Sequence, residues 1–335
     1  MKAIVYTKYG PPDVLQLKEV AKPEPKDNQV LVKVQAASIN ALDYRRFEAT
    51  SSFGRFMDEV LLKTVNKVLG ADIAGRVEAV GRDVKQFQPG DEVFGASAGS
   101  VGAFAEYTCA GENLLALKPA NLSFEAAATV PVAAVTALQG LRDKGKVQPG
   151  QKVLIYGASG GVGTFAVQIA RSMGAVVTAV CSTRNLDMVR SIGADQVIDY
   201  TKEDFTRSGQ RYDVIIAANG YRSIRDYAGA LNPHGIYVAL GGSMAQVLQA
   251  MLLGPLVSKL GSKQMGFMGI AKVTHEDLVF LRELLEAGKV VPVIDRCYPL
   301  DETAEAIRNL VKEHAQGKVV ITLEQNYVTQ PAGGN

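Results

Sequence analysis

Tryptophan is absent from the 335 residues, and cysteine and histidine occur only three times each. Cys109, Cys181 and Cys297 lie far apart with no C-x-x-C spacing, which argues against a disulfide framework and a Cys-rich zinc site. His234, His275 and His314 are equally scattered and do not compose a three-ligand catalytic metal site, so no metal is expected. Neither charge dominates. Thirty-six Lys and Arg face thirty-four Asp and Glu, a net charge of +2, far from the basic excess that tracks a phosphate backbone. Dedicated nucleic-acid binding is therefore not expected. No stretch approaches the roughly 20 apolar residues of a membrane span. The opening Met1-Lys2-Ala3-Ile4-Val5-Tyr6 holds too short an apolar run for a secretory signal, so the expected location is a reducing compartment, the cytoplasm. What the chain does have is 47% hydrophobic residues and 33 glycines, enough apolar mass for a sizeable core over about two domains.

Two textures follow one another. Up to about residue 119, short apolar runs at 3–7, 14–20, 30–37, 73–80, 92–94 and 104–108 alternate with turn formers, which reads as an all-β barrel or sandwich. Residues 43–67 are compatible with a helix or a lid. Ser123 is a helix N-cap candidate ahead of an Ala-rich run to 141, kinked or divided by Pro131. Strand-length runs at 153–156, 175–180, 196–198, 214–217 and 237–240 then alternate with helical spacing at 162–173, 186–192, 202–207 and 223–231. That alternation predicts βαβ units and a doubly wound parallel sheet, an α/β fold. A helix at 274–287, an extended piece through 294, a helix at 301–314 and a strand at 318–323 follow, with a polar tail from 325. The apolar residues of 244–260 recur at near-helical spacing; packing in the core is the first expectation, with the border of a substrate cleft, a membrane surface or a partner interface as the alternatives.

The most informative stretch is Gly157-Ala158-Ser159-Gly160-Gly161-Val162-Gly163, placed between a buried strand and an amphipathic helix. Glycines at 157, 160 and 163 form G-x-x-G-x-x-G, a variant of the dinucleotide fingerprint. Backbone without Cβ lets a diphosphate approach the helix start, where unpaired N–H groups and the dipole favour an anion. A rival reading shares these residues, because Gly157–Gly161 also matches G-x-S-x-G, the nucleophile elbow of α/β-hydrolases, with Ser159 as nucleophile and a downstream histidine. A P-loop is ruled out because Thr164 and Phe165, not lysine, follow Gly163.

The end of the next strand separates the two nicotinamide cofactors. An NAD site places an acid about 20 residues past the glycines to hold the ribose 2′-OH. Here Ser182, Thr183 and Arg184 offer two hydroxyls and a guanidinium, and Tyr200 adds a phenol after the following strand. A 2′-phosphate suits them, so NADP(H) is the expected cofactor. Helix capping by Ser182 and Thr183 is compatible with this.

Together with Ser38-Ile39-Asn40-Ala41-Leu42-Asp43-Tyr44, Leu69–Gly75, Pro89–Val93, Gly102–Tyr107 and Gly317–Val320, these residues resemble the medium-chain dehydrogenase/reductase superfamily, in its zinc-independent quinone oxidoreductase branch. The resemblance implies a GroES-like β-barrel domain at 1–122, a Rossmann NADP(H)-binding domain at 123–265, and a C-terminal return to the catalytic domain at 266–335. A homodimer and an active cleft between the domains are implied as well. Zinc-dependent relatives carry a Cys where this chain has Ala41 or Leu42, and a His-Glu pair where it has Ala71-Asp72. The four-cysteine lobe is missing.

With no metal to polarise an alcohol, the implied reaction is hydride transfer from NADPH to a conjugated acceptor: a quinone or the activated C=C of an α,β-unsaturated carbonyl. Asn40 and Tyr44 are the catalytic candidates, as an amide donor and a phenol that hydrogen-bonds an oxygen or relays a proton. Satisfying a turn and packing the domain interface are the plain alternatives. Thr136 matches a residue near the cofactor, or bonds its own helix backbone. Asn219, Leu240, Gly241 and Gly242 follow later parallel strands, where ligands of open sheets bind, and Lys318 is a further candidate contact. Asp72 is read as a hydrogen-bonded structural carboxylate rather than a general base. A different class of function is a regulatory nucleotide-binding protein with little turnover.

Overall fold

The computed structural model describes residues 1–6, 8, 10–47, 68–100, 102–313 and 315–323. Most of the expected 43–67 segment, His314 and the tail from 325 therefore lie outside the described residues.

The chain begins with the antiparallel pair β1 (Lys2–Tyr6) and β2 (Leu15–Glu19). Strand β3 (Gln29–Ser38) leads into helix α1 (Ala41–Phe47), and β4 (Asp72–Val80), β5 (Glu92–Ala96), β6 (Tyr107–Gly111) and β7 (Leu115–Leu117) follow. Strands β3, β4 and β5 are buried on both faces: Val32, Ile73 and Val93 pack with Phe104 in one core, and Ala36, Ala74 and Phe94 join the core of the second unit. Strand β6 begins three residues later than the apolar run suggested. Ala103, Phe104 and Ala105 are buried, but their backbone crosses over to Leu69, Gly70 and Ala3 instead of joining that ladder.

Ser123 caps α2 (Phe124–Ala128) by accepting from the Ala126 amide, and Pro131 starts α3 (Pro131–Gln139), so the proline divides the helical run in two. At the first turn of a helix its missing N–H costs nothing. The second unit then alternates: β8 (Lys152–Tyr156), α4 (Gly161–Ser172), β9 (Val176–Cys181), α5 (Leu186–Ser191), β10 (Gln196–Asp199), β11 (Tyr212–Ala217), α6 (Ile224–Ala230) and β12 (Leu231–Ala239). Of 202–207, only the single turn Phe205–Arg207 is helical. After α7 (Met244–Leu252) and α8 (Gly254–Leu260) comes β13 (Gln264–Phe267). The six strands lie in the order β10-β9-β8-β11-β12-β13, all parallel, with fully buried runs such as Val153-Leu154-Ile155. This is the doubly wound sheet that the alternation predicts. The order reverses between β8 and β11, and a crevice opens at their C-terminal ends.

The expected packing of 244–260 in the core does not hold. Gly254-Pro255 splits the segment into α7 and α8, and Leu248, Met251, Leu252, Leu253 and Leu256 are exposed. Helical spacing identifies an apolar face without saying what covers it.

Helix α9 (His275–Glu286), β14 (Ile294–Pro299), α10 (Thr303–Glu313) and β15 (Lys318–Thr322) end the described chain. Strand β15 pairs antiparallel with β3 through Val320–Ser38, Ile321–Ala37 and Thr322–Ala36, giving a seven-stranded sheet β14-β15-β3-β4-β5-β7 with β6 also on β3. A last strand lying beside an early one carries residues 318–322 across to the crevice. Among the described residues no helix is long and apolar enough to cross a membrane.

Candidate active site

The crevice at the sheet reversal widens into a cleft of about 1330 Å³, walled by both sheets and by the end of α10. Its floor is the turn between β8 and α4. Gly157 sits at φ +81, a conformation that a side chain resists. Gly160 stands at the N-cap of α4 with no side-chain cap, and the first turn of α4 holds no acid. The opening N–H groups of the helix therefore meet the cleft without a competing partner. Gly163 packs the helix onto the turn, because a Cβ there would lie 2.1 Å from the Gly157 carbonyl oxygen. A dinucleotide diphosphate fits this cradle: it is bare of side chains, offers donors, and carries no opposing charge.

Of the residues expected at the cofactor, Gly157, Ser159, Gly160, Gly161, Val162, Gly163, Ser182, Thr183, Arg184, Tyr200, Asn219 and Lys318 line the cleft, as do Asn40 and Tyr44. Five others do not. Ala158 is fully buried, its amide donating to the Val180 carbonyl. Thr136 Oγ1 donates to the Val132 carbonyl, 2.6 Å away, the back-bonding common for a helical threonine. Leu240 packs over Gly140, Gly241 stands outside the lining, and Gly242 is bridged to Gly220.

At the end toward Arg184 the structure adds residues that the sequence reading missed. Asp199, paired with Cys181 across β9 and β10, is a buried acid close to the expected phosphate site. Its oxygens are taken by Thr183 Oγ1 at 2.5 Å and by the Thr201 amide and hydroxyl. These bonds, the Thr183 one foremost, hold its carboxyl below the usual carboxylate range. Asp199 itself does not line the cleft. The Arg184 guanidinium donates to the Glu313 carbonyl at the end of α10, and Gln316 donates to Asn185 Oδ1 at 2.6 Å. Lys312 and Glu313 thus face Arg184 across the cleft mouth, Glu313 paired with Arg296 at 2.7 Å. Burial pushes the Cys181 thiol, behind Ser182, up to about 11, so it stays protonated.

Among the described residues Ser159 has no histidine partner. Its hydroxyl accepts from Asn185 Nδ2 at 2.9 Å, while His275 bonds the Leu115 carbonyl and His234 lies near Ser262, both away from the cleft.

At the opposite end Asn40 and Tyr44 enter from the β3–α1 turn and α1. The Asn40 side chain is tied to Asp72 and Lys318, both buried, while its backbone closes the turn with Asp43. Lys318 is therefore neither an exposed lysine nor a free cation. Asp72 accepts four hydrogen bonds, one from the Val132 amide in the first turn of α3, as its reading as a structural carboxylate requires. Among the described residues no group of three or more His, Cys, Asp or Glu side chains could hold a metal ion.

Residues 26–120 match the alcohol dehydrogenase GroES-like domain, and residues 192–321 match the zinc-binding dehydrogenase domain. The chain is 39% identical to a 2-methylene-furan-3-one reductase of Solanum lycopersicum over 96% of its own length and 79% of that protein's. It is 35% identical to an NADPH-dependent alkenal/one oxidoreductase, chloroplastic, of Arabidopsis thaliana, with the same coverage. The solved quinone oxidoreductase of Coxiella burnetii superposes with a TM-score of 0.86 at 30% identity, covering 97% of this chain and 99% of that one.

Proposed function

The chain belongs to the medium-chain dehydrogenase/reductase superfamily, among the quinone and alkenal oxidoreductases, and on that premise we propose that it is an NADPH-dependent reductase of quinones or of the activated C=C of α,β-unsaturated carbonyls. One observation carries this reading. A single cleft holds an uncapped, glycine-lined helix start at its floor, a guanidinium and hydroxyls at one end, and an amide and a phenol at the other.

When bound, NADPH supplies the hydride that reduces the acceptor. The N–H groups opening α4 bind its diphosphate, and Ser182, Arg184 and Tyr200 bind its 2′-phosphate. Reduction of a conjugated acceptor leaves negative charge on the carbonyl oxygen. The Asn40 N–H that is not spent on Asp72 and the Tyr44 hydroxyl stabilise that oxygen, each donor contributing about 3 kcal/mol in a preorganised site. The proton that completes the reduction, at the α-carbon of an enone or at the oxygen of a quinone, comes from Tyr44 or from water.

The reaction proceeds without zinc, since Ala41, Leu42 and Ala71 offer no donor where a ligand would be needed. Catalysis is divided between a β-rich domain at 1–122 rejoined by 266–335 and a nucleotide domain at 123–265. The pairing of β13 with β12 through Phe267 supports ending the nucleotide domain close to residue 265. The exposed apolar face of α7 and α8, and a β13 with no strand partner on its outer edge among the described residues, support a homodimer. Three unpaired cysteines support a cytoplasmic location.

The test is loss of NADPH absorbance with a panel of enals, enones and quinones. Acceptor-dependent oxidation that survives a chelator is expected. Tight NADPH binding with no acceptor-dependent loss would overturn the proposal in favour of a nucleotide-binding protein without turnover.

A further inference from the structure

Lys318 opens β15 directly after Gly317, whose amide donates to the Ser159 carbonyl at 2.8 Å. The lysine stem lies against the start of α4: a Cβ on Gly161 would meet its Cδ at 2.8 Å. Such a place beside the diphosphate cradle invites the idea that the ammonium binds phosphate. Its hydrogen bonds say otherwise. The residue is 3% exposed, and Nζ reaches the Ile39 carbonyl at 3.0 Å, Asn40 Oδ1 at 2.6 Å and Asp72 Oδ2 at 3.3 Å. An ammonium has three protons, and all three are committed within the protein.

Asp72, 0% exposed, is filled in the same way. Its Oδ2 also accepts from Ser38 Oγ and Asn40 Nδ2, each at 2.8 Å, and Oδ1 accepts from the Val132 amide at 2.9 Å. Two buried charges therefore grip one neutral side chain, the lysine holding the Asn40 oxygen and the aspartate one of its N–H bonds. That pair of contacts fixes which way the amide faces and leaves one N–H for the cleft. A buried ion pair is weak evidence for stability, because apolar residues of the same volume often serve as well. Two charges converging on an amide that lines the cleft are better explained by orientation than by packing.

We propose that Lys318 and Asp72 are positioning residues that lock the Asn40 amide in one orientation for the reaction, and that Lys318 is neither a phosphate ligand nor a proton donor. This rests on the reductase reading for its purpose, though the orientation itself exists without cofactor.

Lys318→Met alone strands a buried carboxylate and can fail to fold, so the informative protein is the neutral double variant Lys318→Met/Asp72→Asn, in which methionine keeps the unbranched stem on Gly161. Its first readout needs no turnover. In the ligand-free wild type, the side-chain amide resonances of Asn40, identified by their loss in Asn40→Ala, should be dispersed and slow to exchange. In the double variant they should move to solvent-like shifts and exchange fast. Unchanged resonances would overturn the proposal. With NADPH and a responsive acceptor, kcat should fall about a hundredfold, the usual cost of a misplaced group, while NADPH affinity by calorimetry stays within about threefold. Asn40→Ala should then cost little more in that background, because the residues act as one unit. An affinity loss of tenfold or more with reduced salt dependence would make Lys318 a phosphate ligand, and a lost limb in the pH–rate profile would make it a proton donor. Either result, or additive losses with Asn40→Ala, refutes positioning. A wild type that reduces no acceptor would remove the reductase reading, and the resonances would still decide the orientation.

Discussion

Replacing Gly163 by alanine sets two physical effects against each other, and the geometry decides between them. Within a helix, alanine is favoured over glycine by about 1 kcal/mol. In α4 the new methyl would stand 2.1 Å from the Gly157 oxygen and 2.8 Å from the Ala158 backbone, atoms that cannot rotate aside. Restoring ordinary contact requires the helix to retreat from the turn, and overpacking of this kind costs about 3 kcal/mol. The net expectation is a destabilisation of about 2 kcal/mol, read as a drop of a few degrees in Tm. NADPH affinity should fall as well, because the retreating helix carries its free N–H groups away from Gly157. Gly229→Ala is the control. It lies in α6 with nothing within 4 Å of the added methyl and should be neutral or stabilising by up to about 1 kcal/mol. Thermal scans of both variants with and without NADPH give the answer. If Gly163→Ala melts as high as Gly229→Ala and binds NADPH as well as wild type, the close-approach argument for the glycine turn is wrong.

Arg184→Ala should reduce the preference for NADPH over NADH by about tenfold or more, the worth of one charge-assisted contact to phosphate, and an unchanged ratio of Kd values would refute its role. Asp199 is held below the usual carboxylate range by Thr183 first and Thr201 next, so its folded form favours ionisation. Stability from it is present above an ordinary pKa of about 3.9 and is lost as the pH falls through the lower folded value. Asp199→Asn should therefore flatten the acid-side fall in Tm below about pH 4, and parallel curves would show that Asp199 is not linked. On the homodimer proposal, Met251→Lys/Leu252→Lys, on the exposed face of α7, should sediment as a monomer that keeps native circular dichroism; an unchanged mass would place any interface elsewhere.

The glycine turn was legible because everything it needs is contiguous: an apolar strand, three glycines at fixed spacing, an amphipathic helix. Alternating strand and helix periods predicted the parallel sheet for the same reason, and Ser123 and Pro131 marked helix starts by local chemistry alone. The Asn40–Asp72–Lys318 cluster was not legible. Its members stand 32 and 246 residues apart, and no local pattern shows that a lysine ahead of Val-Val-Ile will be buried with all its protons spent. Asp199 escaped notice because the second strand shows no acid of its own; only the parallel pairing of β10 with β9 brings one beside Cys181. Periodicity located the apolar stripe on α7 and α8 and misjudged its fate, since spacing is the same whether core or another surface covers the stripe.

The seating of β15 beside β3 has a consequence for biosynthesis. A ribosome delivers β3 nearly three hundred residues before the strand that completes its sheet. The nucleotide-binding half, whose strands all fall between Lys152 and Phe267, can close while the chain is still being made. The amino-terminal half must wait, with Ser38 and Ala37 unpaired on that side and Asp72 without its cation. Until Lys318 and the strand behind it arrive, that edge of β3 stays open to pairing with another chain.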